Sequence, residues 1–234
     1  MVVNIGENIA HIREEMARAA KKSGRGLSEV KLMGVTKYHP IEMMTEAAAS
    51  LDLIGENKVQ EAAGKRALWP AAVKSCPWHM IGHLQRNKIR RALENFDLIE
   101  SIDSLETAVG INRVLSEGEP RSFPVFIEVN MSREAAKSGV APEEAARLLD
   151  DMMNACRLVS VEGLMTVAED TGDEKTLRET FGGLRELREA LRRASGLPLP
   201  ELSMGMSGDF TAAIEEGSTI VRVGSAIFGP RNYG

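Results

Sequence analysis

The regular alternation of short apolar runs with helical segments is the feature that most limits the folds open to this chain. Eight β-type runs are predicted, at residues 30–36, 52–54, 78–81, 97–100, 125–130, 159–165, 201–203 and 220–223. Helical segments are predicted between or after them, at residues 41–50, 58–68, 86–95, 105–116, 142–154, 174–194 and 209–216. Strict alternation of this kind requires parallel strands that are joined by helical crossovers.

Eight β–α units close naturally into a barrel, so the sequence predicts an α/β fold consisting of one (β/α)8 TIM-type barrel domain over residues 1–234. An extra N-terminal helix is predicted to begin near Asn4, with Glu7 completing a capping pair, and to end near residues 23–24. The alternative is an open doubly wound sheet. The barrel is favoured because no GxGxxG motif follows an early strand and because unusual polar residues follow nearly every strand.

Local signals place several helix boundaries. Asp103 and Glu106 have the spacing of a capping box, and Pro142 suits a first helical position. Gly196 and Gly217 are typical of the residue that follows a helix. These signals divide the chain at the same points as the apolar periodicity.

Composition and charge exclude several functions. The net charge of -5 gives no general attraction to nucleic acid or to a membrane surface. The four histidines are scattered, so no metal site is expected, and Cys76 and Cys156 do not form a disulfide framework. The first residues do not have the pattern of a signal peptide, and no apolar run is long enough to span a bilayer. We therefore expect a cytoplasmic protein that is a monomer or a weak dimer.

Lys37 follows the first predicted strand, at the end where barrels carry their active sites. Two-residue alternation places Met33, Val35 and Lys37 on one face. If that face points inward, Lys37 lies at the mouth of the barrel. A lysine that is partly removed from water is more readily uncharged, and it is then nucleophilic toward aldehydes, as a Schiff-base lysine must be. The alternative is an ordinary solvated lysine in a loop.

Two loops rich in glycine and serine follow the seventh and eighth predicted strands. Residues 203–209 and the pair Gly224 and Ser225 each open a helical segment. Backbone N–H groups and hydroxyls at such positions bind anions, and these two loops are the usual phosphate site of this barrel. Either loop alone could be a tight turn that needs glycine. Together, in these places, they predict a phosphate site.

Other strand-end residues are weaker candidates. Arg222 is predicted to face the barrel interior, where it needs a hydrogen-bond acceptor, although a surface arginine is the alternative. Asn57 could simply cap the following helix, and His79 could be a hydrogen-bonded core histidine. Met204 and Met206 could serve in packing alone.

Seven segments together carry a family resemblance over nearly the whole chain. They are GVTK (34–37), IGENKVQE (54–61), WHMIGHLQRNK (78–88), KSG (137–139), EGLM (162–165), LSMGMS (202–207) and VRVGSAIFG (221–229). With these segments in this order, the chain resembles the pyridoxal phosphate homeostasis protein family, which is similar to the barrel domain of alanine racemase. The resemblance implies a fold type III barrel that binds pyridoxal 5'-phosphate (PLP).

The resemblance also implies a role for individual residues. It implies that PLP forms a Schiff base with Lys37 and that Ser207, Gly224 and Ser225 hold its phosphate. It places Arg222 at the pyridine nitrogen. The full set of implied cofactor-binding residues is Lys37, Asn57, His79, Ser203, Met204, Ser207, Arg222, Gly224 and Ser225. Lys137 matches a family lysine proposed to help move the cofactor.

The chain departs from the family pattern at two places. Members with Lys-Xaa-Lys-Pro after the first strand have a second lysine where this chain has His39. Some members end in a basic tail, whereas this chain ends in RNYG at 231–234. The resemblance therefore does not extend to a release route through those lysines.

Three functions compete at this point. The first is a non-catalytic PLP carrier or buffer that supplies apo forms of PLP-dependent enzymes; the others are an amino-acid racemase and a Schiff-base aldolase for a phosphorylated sugar. A racemase needs two bases on opposite faces of its substrate, and alanine racemase takes the second, a tyrosine, from a C-terminal β-domain. Tyr38 and Tyr233 are the tyrosines of this chain, and alternation directs Tyr38 away from Lys37. The carrier is therefore the favoured reading.

Overall fold

The eight apolar runs form eight parallel strands of a closed barrel. The structure is a computed structural model, and it describes residues 3–73, 76–119, 121–134 and 136–230. The strands are β1 (Lys31–Val35), β2 (Leu53–Glu56), β3 (Trp78–Met80), β4 (Leu98–Ile102), β5 (Phe123–Glu128), β6 (Val159–Met165), β7 (Glu201–Ser203) and β8 (Ile220–Val223). The predicted (β/α)8 barrel is confirmed, and the open sheet is excluded because β8 pairs with β1.

The helices lie in chain order between the strands. They are α1 (Ile5–Lys22), α2 (Ile41–Ala47), α3 (Val59–Ala67), α4 (Ile89–Asn95), α5 (Leu105–Ser116), α6 (Ala145–Ala155), α7 (Glu174–Ser195), α8 (Phe210–Glu215) and α9 (Ser225–Phe228). The additional N-terminal helix is α1, and Asn4 caps it by accepting a hydrogen bond from the Glu7 N–H at 3.1 Å. Among the residues that the structure describes, no helix is long and apolar enough to cross a membrane.

Two-residue alternation along the strands builds two separate apolar layers. The inner layer lies inside the barrel and consists of Met33, Leu53, Leu98, Phe126, Met165 and Ile220. The opposite faces of the strands pack against the helices in the larger core. Helix α1 adds Ile5, Ile9, Ile12 and Met16 to that core at helical spacing, and it packs against α2, α8 and α9 beside the seam where β8 meets β1.

Some helix boundaries differ from the sequence prediction. Short 3-10 turns at Arg86–Lys88 and Pro142–Glu144 precede α4 and α6, where one continuous helix was expected. The capping box predicted for Asp103 and Glu106 is wrong. Ser104 is extended and caps α5 instead, accepting a hydrogen bond from the Thr107 N–H at 3.4 Å. A serine hydroxyl three residues before that N–H gives the capping geometry, so the helix begins one residue later.

Candidate functional site

The end of β1 forms one side of the barrel mouth, the opening at the C-terminal ends of the strands. Met33 lies in the inner layer, and Lys37, four residues later, is half-buried. Between them Thr36 is fully buried on the outer side, where its hydroxyl donates to Glu56 Oε1 at 2.6 Å. Lys37 follows β1 by two residues at the C-terminal end of the barrel, and the alternation of β1, continued past Val35, directs it toward the inner side.

The loops after β7 and β8 meet the end of β1. Arg222 pairs with Met33 in the sheet, and its N–H donates to the Gly205 carbonyl at 2.9 Å. A Cβ atom built on Gly224 would lie 3.3 Å from the Val35 carbonyl oxygen, so a side chain there would crowd the β1 backbone. The predicted phosphate loops therefore stand next to the strand that carries Lys37.

The hydroxyl of Ser207 bridges the two phosphate loops. Its Oγ accepts long hydrogen bonds from the N–H of Gly224 at 3.3 Å and of Ala226 at 3.4 Å. Ser225 is exposed at the first position of α9. The hydroxyl and these N–H groups form a small polar cluster where the loops after β7 and β8 meet, and hydroxyls and backbone N–H groups of this kind bind anions in other proteins.

A chain of buried polar groups crosses the barrel interior below this cluster. His79 Nδ1 lies 2.7 Å from Glu100 Oε1, and Glu100 Oε2 accepts from Ser203 Oγ at 2.5 Å. Ser203 Oγ in turn accepts from Arg222 at 2.8 Å, and Arg222 also donates to the Thr166 carbonyl at 2.8 Å. All five residues are buried. The chain joins β3, β4, β7, β8 and the residue after β6, and it holds the Arg222 guanidinium in a fixed position.

Burial dominates the electrostatics of this interior. It lowers the pKa of Arg222, while the charges of Glu100, Asp209 and Glu128 raise it. The pKa of Glu128 is raised from 4.5 to about 7, chiefly by burial, with the charge of Asp103 adding to the rise and that of Arg222 opposing it. Burial likewise raises the pKa of Asp209. Since a guanidinium keeps its proton in proteins, Arg222 is the permanent positive charge among several carboxyl groups.

Asn57 stands at the opening between β2 and α3, and it does not cap that helix. The N-cap residue of α3 is Lys58, and its side chain makes no capping hydrogen bond. The Asn57 Oδ1 atom is buried and has no hydrogen-bond partner among the residues that the structure describes. A buried acceptor without a donor is unfavourable, so this oxygen favours a ligand that can donate a hydrogen bond.

Other predicted residues lie outside the mouth. The Met204 side chain is fully buried in the outer core, so it packs beneath the helices and only its main chain is left to contribute to a ligand site. Met206 is 37% exposed. Lys137, in the loop after β5, forms an ion pair with Glu134 and donates to the Ala168 carbonyl at 3.1 Å. His39, where some relatives have lysine, is buried with its ring 5.0 Å from that of Phe228. The segment 231–234, with Tyr233, lies outside the described residues.

Sequence reasoning assigned no role to Glu100 or Glu128, although both lie in this interior. A signal was present in the pattern. Glu100 comes two residues after Leu98 and Glu128 two residues after Phe126, and both apolar residues belong to the inner layer. A carboxylate in phase with inward apolar residues predicts a buried acid at the barrel mouth.

The barrel and its polar mouth define a known class of domain. The family model described as "Alanine racemase, N-terminal domain" matches residues 8–232, nearly all of the chain. The alanine racemase of Clostridium difficile 630 superposes with a TM-score of 0.73 over 96% of this chain and 57% of that chain. Its 16% identity supports a shared fold alone. The class is therefore the alanine racemase-type barrel.

Similarity over the full length narrows this class. The pyridoxal phosphate homeostasis protein of Pseudomonas aeruginosa is 42% identical over 234 residues, which cover 98% of this chain and 97% of the relative. The structure of PipY from Synechococcus elongatus with PLP bound is 32% identical and has a TM-score of 0.83, covering 97% of this chain and 100% of that chain. The chain belongs to the pyridoxal phosphate homeostasis protein family.

Proposed function

We propose that this protein binds PLP at the C-terminal mouth of the barrel, with Lys37 as the point of attachment, and acts in PLP homeostasis as a carrier or buffer. The observation that carries the proposal is that Gly224, hydrogen-bonded to Ser207, lies against the Val35 carbonyl at the end of β1, two residues before Lys37, while Arg222 is buried in the neighbouring strand. The full-length relative from Pseudomonas aeruginosa and the PLP-bound PipY structure support it. Both favour PLP over the phosphorylated sugar of an aldolase.

The residues of the mouth fit PLP. PLP supplies an aldehyde, which condenses reversibly with an amine and releases water, together with a phosphate and a pyridine ring. Lys37 is the amine at this mouth, and Ser207, Gly224 and Ser225 are suited to the phosphate. The buried Oδ1 atom of Asn57, which accepts no hydrogen bond from the described residues, could accept one from the cofactor. We assign His79 and Ser203 to the floor beneath the ring, since both belong to the buried polar chain.

Arg222 favours holding the cofactor over using it. Its guanidinium is fixed by Ser203 and Thr166, and it is charged at every physiological pH. A positive charge beside a pyridine nitrogen disfavours protonation of that nitrogen, and PLP withdraws electrons less strongly in that state. An arginine at this position therefore favours carbanion formation less than an aspartate would, although alanine racemase also has an arginine there, so the second base carries more weight in this proposal.

The environment of Tyr38 supports a carrier over a racemase with Tyr38 as its second base. It is 44% exposed, and the Lys58 ammonium lies 5.1 Å from the centre of its ring. Its φ of 65° turns the chain at this residue, directly after Lys37. We therefore propose a non-catalytic role, with weak racemase activity as the alternative.

Lys137 is a candidate for passing PLP to apo forms of PLP-dependent enzymes. Its ammonium pairs with Glu134 on a partly exposed loop, with side-chain exposures of 24% and 38%. The same ammonium donates to the Ala168 carbonyl at 3.1 Å and to the Ser132 hydroxyl at 3.4 Å, so passing PLP through Lys137 would require it to exchange these partners. We propose this transfer role for Lys137, the first residue of the KSG segment at 137–139.

Borohydride reduction tests the attachment site. The PLP-loaded protein is reduced and digested, and the modified peptide is identified by mass spectrometry. We expect the adduct on Lys37, and we expect Lys37→Ala to remove it while Lys137→Ala keeps it. An adduct found mainly on Lys58, Lys88 or Lys137 in the wild type would contradict the assignment.

A turnover assay separates the carrier from the racemase. The loaded protein is incubated with L-alanine, and both chirality and keto-acid formation are followed. We expect rates far below about 1 per second, which is the lower end of ordinary enzyme turnover. Rates at or above that value would favour the racemase.

A further inference from the structure

A compact cluster of charged groups lies directly beneath the segment that carries Lys37. Lys65, on α3, donates to Glu56 Oε1 and to Glu61 Oε1, each at 2.6 Å. The same ammonium donates to the Thr36 carbonyl at 2.8 Å. One lysine of α3 therefore ties the end of β1 to the end of β2 and to the first turn of its own helix. We call Glu56, Glu61 and Lys65 the β1 clamp.

The β1 clamp contacts the chain on both sides of Lys37. On the N-terminal side, Thr36 donates its hydroxyl to Glu56 at 2.6 Å and its carbonyl accepts from Lys65. On the C-terminal side, the Tyr38 N–H donates to Glu61 Oε1 at 2.6 Å. The two peptide groups that flank Lys37 are therefore held by side chains of the β1 clamp.

The conformation of Tyr38 makes the contact with Glu61 more than incidental. Its φ of 65° lies in the left-handed region, which is unfavourable for a residue with a Cβ and persists only where the surroundings impose it. The bond from the Tyr38 N–H to Glu61 is such a constraint. Together with the hydrogen bond from the His39 N–H to the Thr36 carbonyl at 3.0 Å, it fixes the turn after β1 and the direction in which the chain leaves Lys37.

Burial makes the β1 clamp rigid. Glu56 is fully buried, and Lys65 and Glu61 have side-chain exposures of only 11% and 21%. Hydrogen bonds among charged groups in a medium of low dielectric are short and strong, and the network has little freedom to rearrange. The clamp also accounts for both acidic residues of the IGENKVQE segment at 54–61, which contribute nothing to the polar chain around Arg222.

We propose that the β1 clamp is a positioning device for Lys37, in which Glu61 is the decisive residue because it holds the Tyr38 N–H. The proposal rests on the assignment of Lys37 as the PLP-bearing lysine. It extends that assignment to the residues that fix where the amine stands, without placing any of them in contact with the cofactor.

The test measures the reactivity of Lys37 in protein free of PLP, so that its outcome does not depend on cofactor binding. Formaldehyde and cyanoborohydride label the lysines, and mass spectrometry follows the rate at Lys37 relative to the rate at Lys88. Glu61→Met keeps the side-chain length and removes the acceptor. Glu61→Asp keeps the charge and withdraws the acceptor by one methylene. Glu61→Gln keeps an acceptor oxygen, and Glu179→Ala removes an exposed i,i+4 ion pair of α7 as the matched control.

We expect Glu61→Met and Glu61→Asp each to change the relative rate at Lys37 by threefold or more and to weaken PLP binding by a similar factor. For Glu61→Gln, both the relative rate at Lys37 and the affinity for PLP should stay within twofold of the wild-type values. Glu179→Ala should have the wild-type values of both. Because Glu61→Asp keeps a negative charge beside Lys65, it decides the result if Glu61→Met does not fold. A wild-type rate at Lys37 in Glu61→Asp would overturn the proposal. If PLP instead attaches to another lysine, the proposed function fails, while the labelling rates still decide the role of the clamp.

Discussion

At the scale of single residues, Glu128 is the mouth residue whose charge responds to pH near neutrality. It is only 8% exposed, and burial raises its pKa from 4.5 to about 7. At a pH below the pKa of Glu128 in the unfolded state, both states of the protein carry the proton. Between that pKa and the higher pKa in the folded state, only the unfolded state loses the proton as the pH rises. The free energy of unfolding therefore falls over this range and levels off above the folded-state pKa.

Glu128→Gln should remove this pH dependence. A neutral side chain of the same shape has no proton to lose. The free energy of unfolding of the variant, minus that of the wild type, should therefore increase between about pH 5 and pH 7 by up to about 1.4 kcal/mol per pH unit. Urea unfolding at several pH values measures the difference. Glu179→Gln, on the exposed face of α7, serves as the control, and parallel curves for Glu128→Gln and wild type would contradict the raised pKa.

At the scale of single elements, the start of α5 shows how local capping competes between neighbouring residues. Asp103 and Glu106 have the spacing of a capping box, but Ser104 adopts the extended cap conformation and accepts the Thr107 N–H. Glu106 instead forms an exposed ion pair with Arg86. The choice between Asp103 and Ser104 depends on where β4 ends and how the chain then enters the helix.

The capping assignment leads to a paired prediction. Ser104→Ala should lower the free energy of unfolding by about 1 kcal/mol, because it leaves a helical N–H without its acceptor. Glu106→Ala should change it by less than about 0.5 kcal/mol, since an exposed ion pair contributes little. Chemical denaturation of both variants measures this contrast. Equal losses would instead support the capping box.

At the scale of the whole molecule, Glu100 connects strands from opposite parts of the barrel. It accepts from Ser203 on β7 and contacts His79 on β3, and through Ser203 it balances the buried Arg222 on β8. Removing it leaves Ser203 and His79 without their buried carboxylate partner and takes away the largest of the negative charges that offset Arg222. Glu100→Ala should therefore lower the free energy of unfolding by about 3–5 kcal/mol.

The loss should affect the whole barrel in one transition, because the strands that Glu100 connects cannot separate independently. Circular dichroism and tryptophan fluorescence should report the same midpoint in urea for Glu100→Ala, at a lower concentration than for wild type. Glu179→Ala should remain within about 0.5 kcal/mol of wild type. A loss for Glu100→Ala as small as that of the control would show that the polar chain does not stabilise the barrel.

Much of the fold could be read from local pattern. The strands at Val159–Met165, Glu201–Ser203 and Ile220–Val223 and the helix at Leu105–Ser116 have the predicted bounds. Apolar periodicity of 2.0 or 3.6 residues depends only on neighbours along the chain, so a single sequence reveals it. Parallel β–α alternation also places Lys37 at a strand end, which made it a candidate before the structure was known.

What the sequence by itself determined is therefore the order and type of the elements, and the strand ends at which Lys37, Asn57 and Arg222 stand. Only the tertiary structure decided which polar groups meet. Ser203 and Glu100 are 103 residues apart in sequence, and Tyr38 and Glu61 are 23 apart. Such contacts depend on barrel closure and on the register between strands, which arise from the packing of all eight strands and their helices together. No local pattern contains that information, so the buried polar chain and the β1 clamp could be recognised only in the folded molecule.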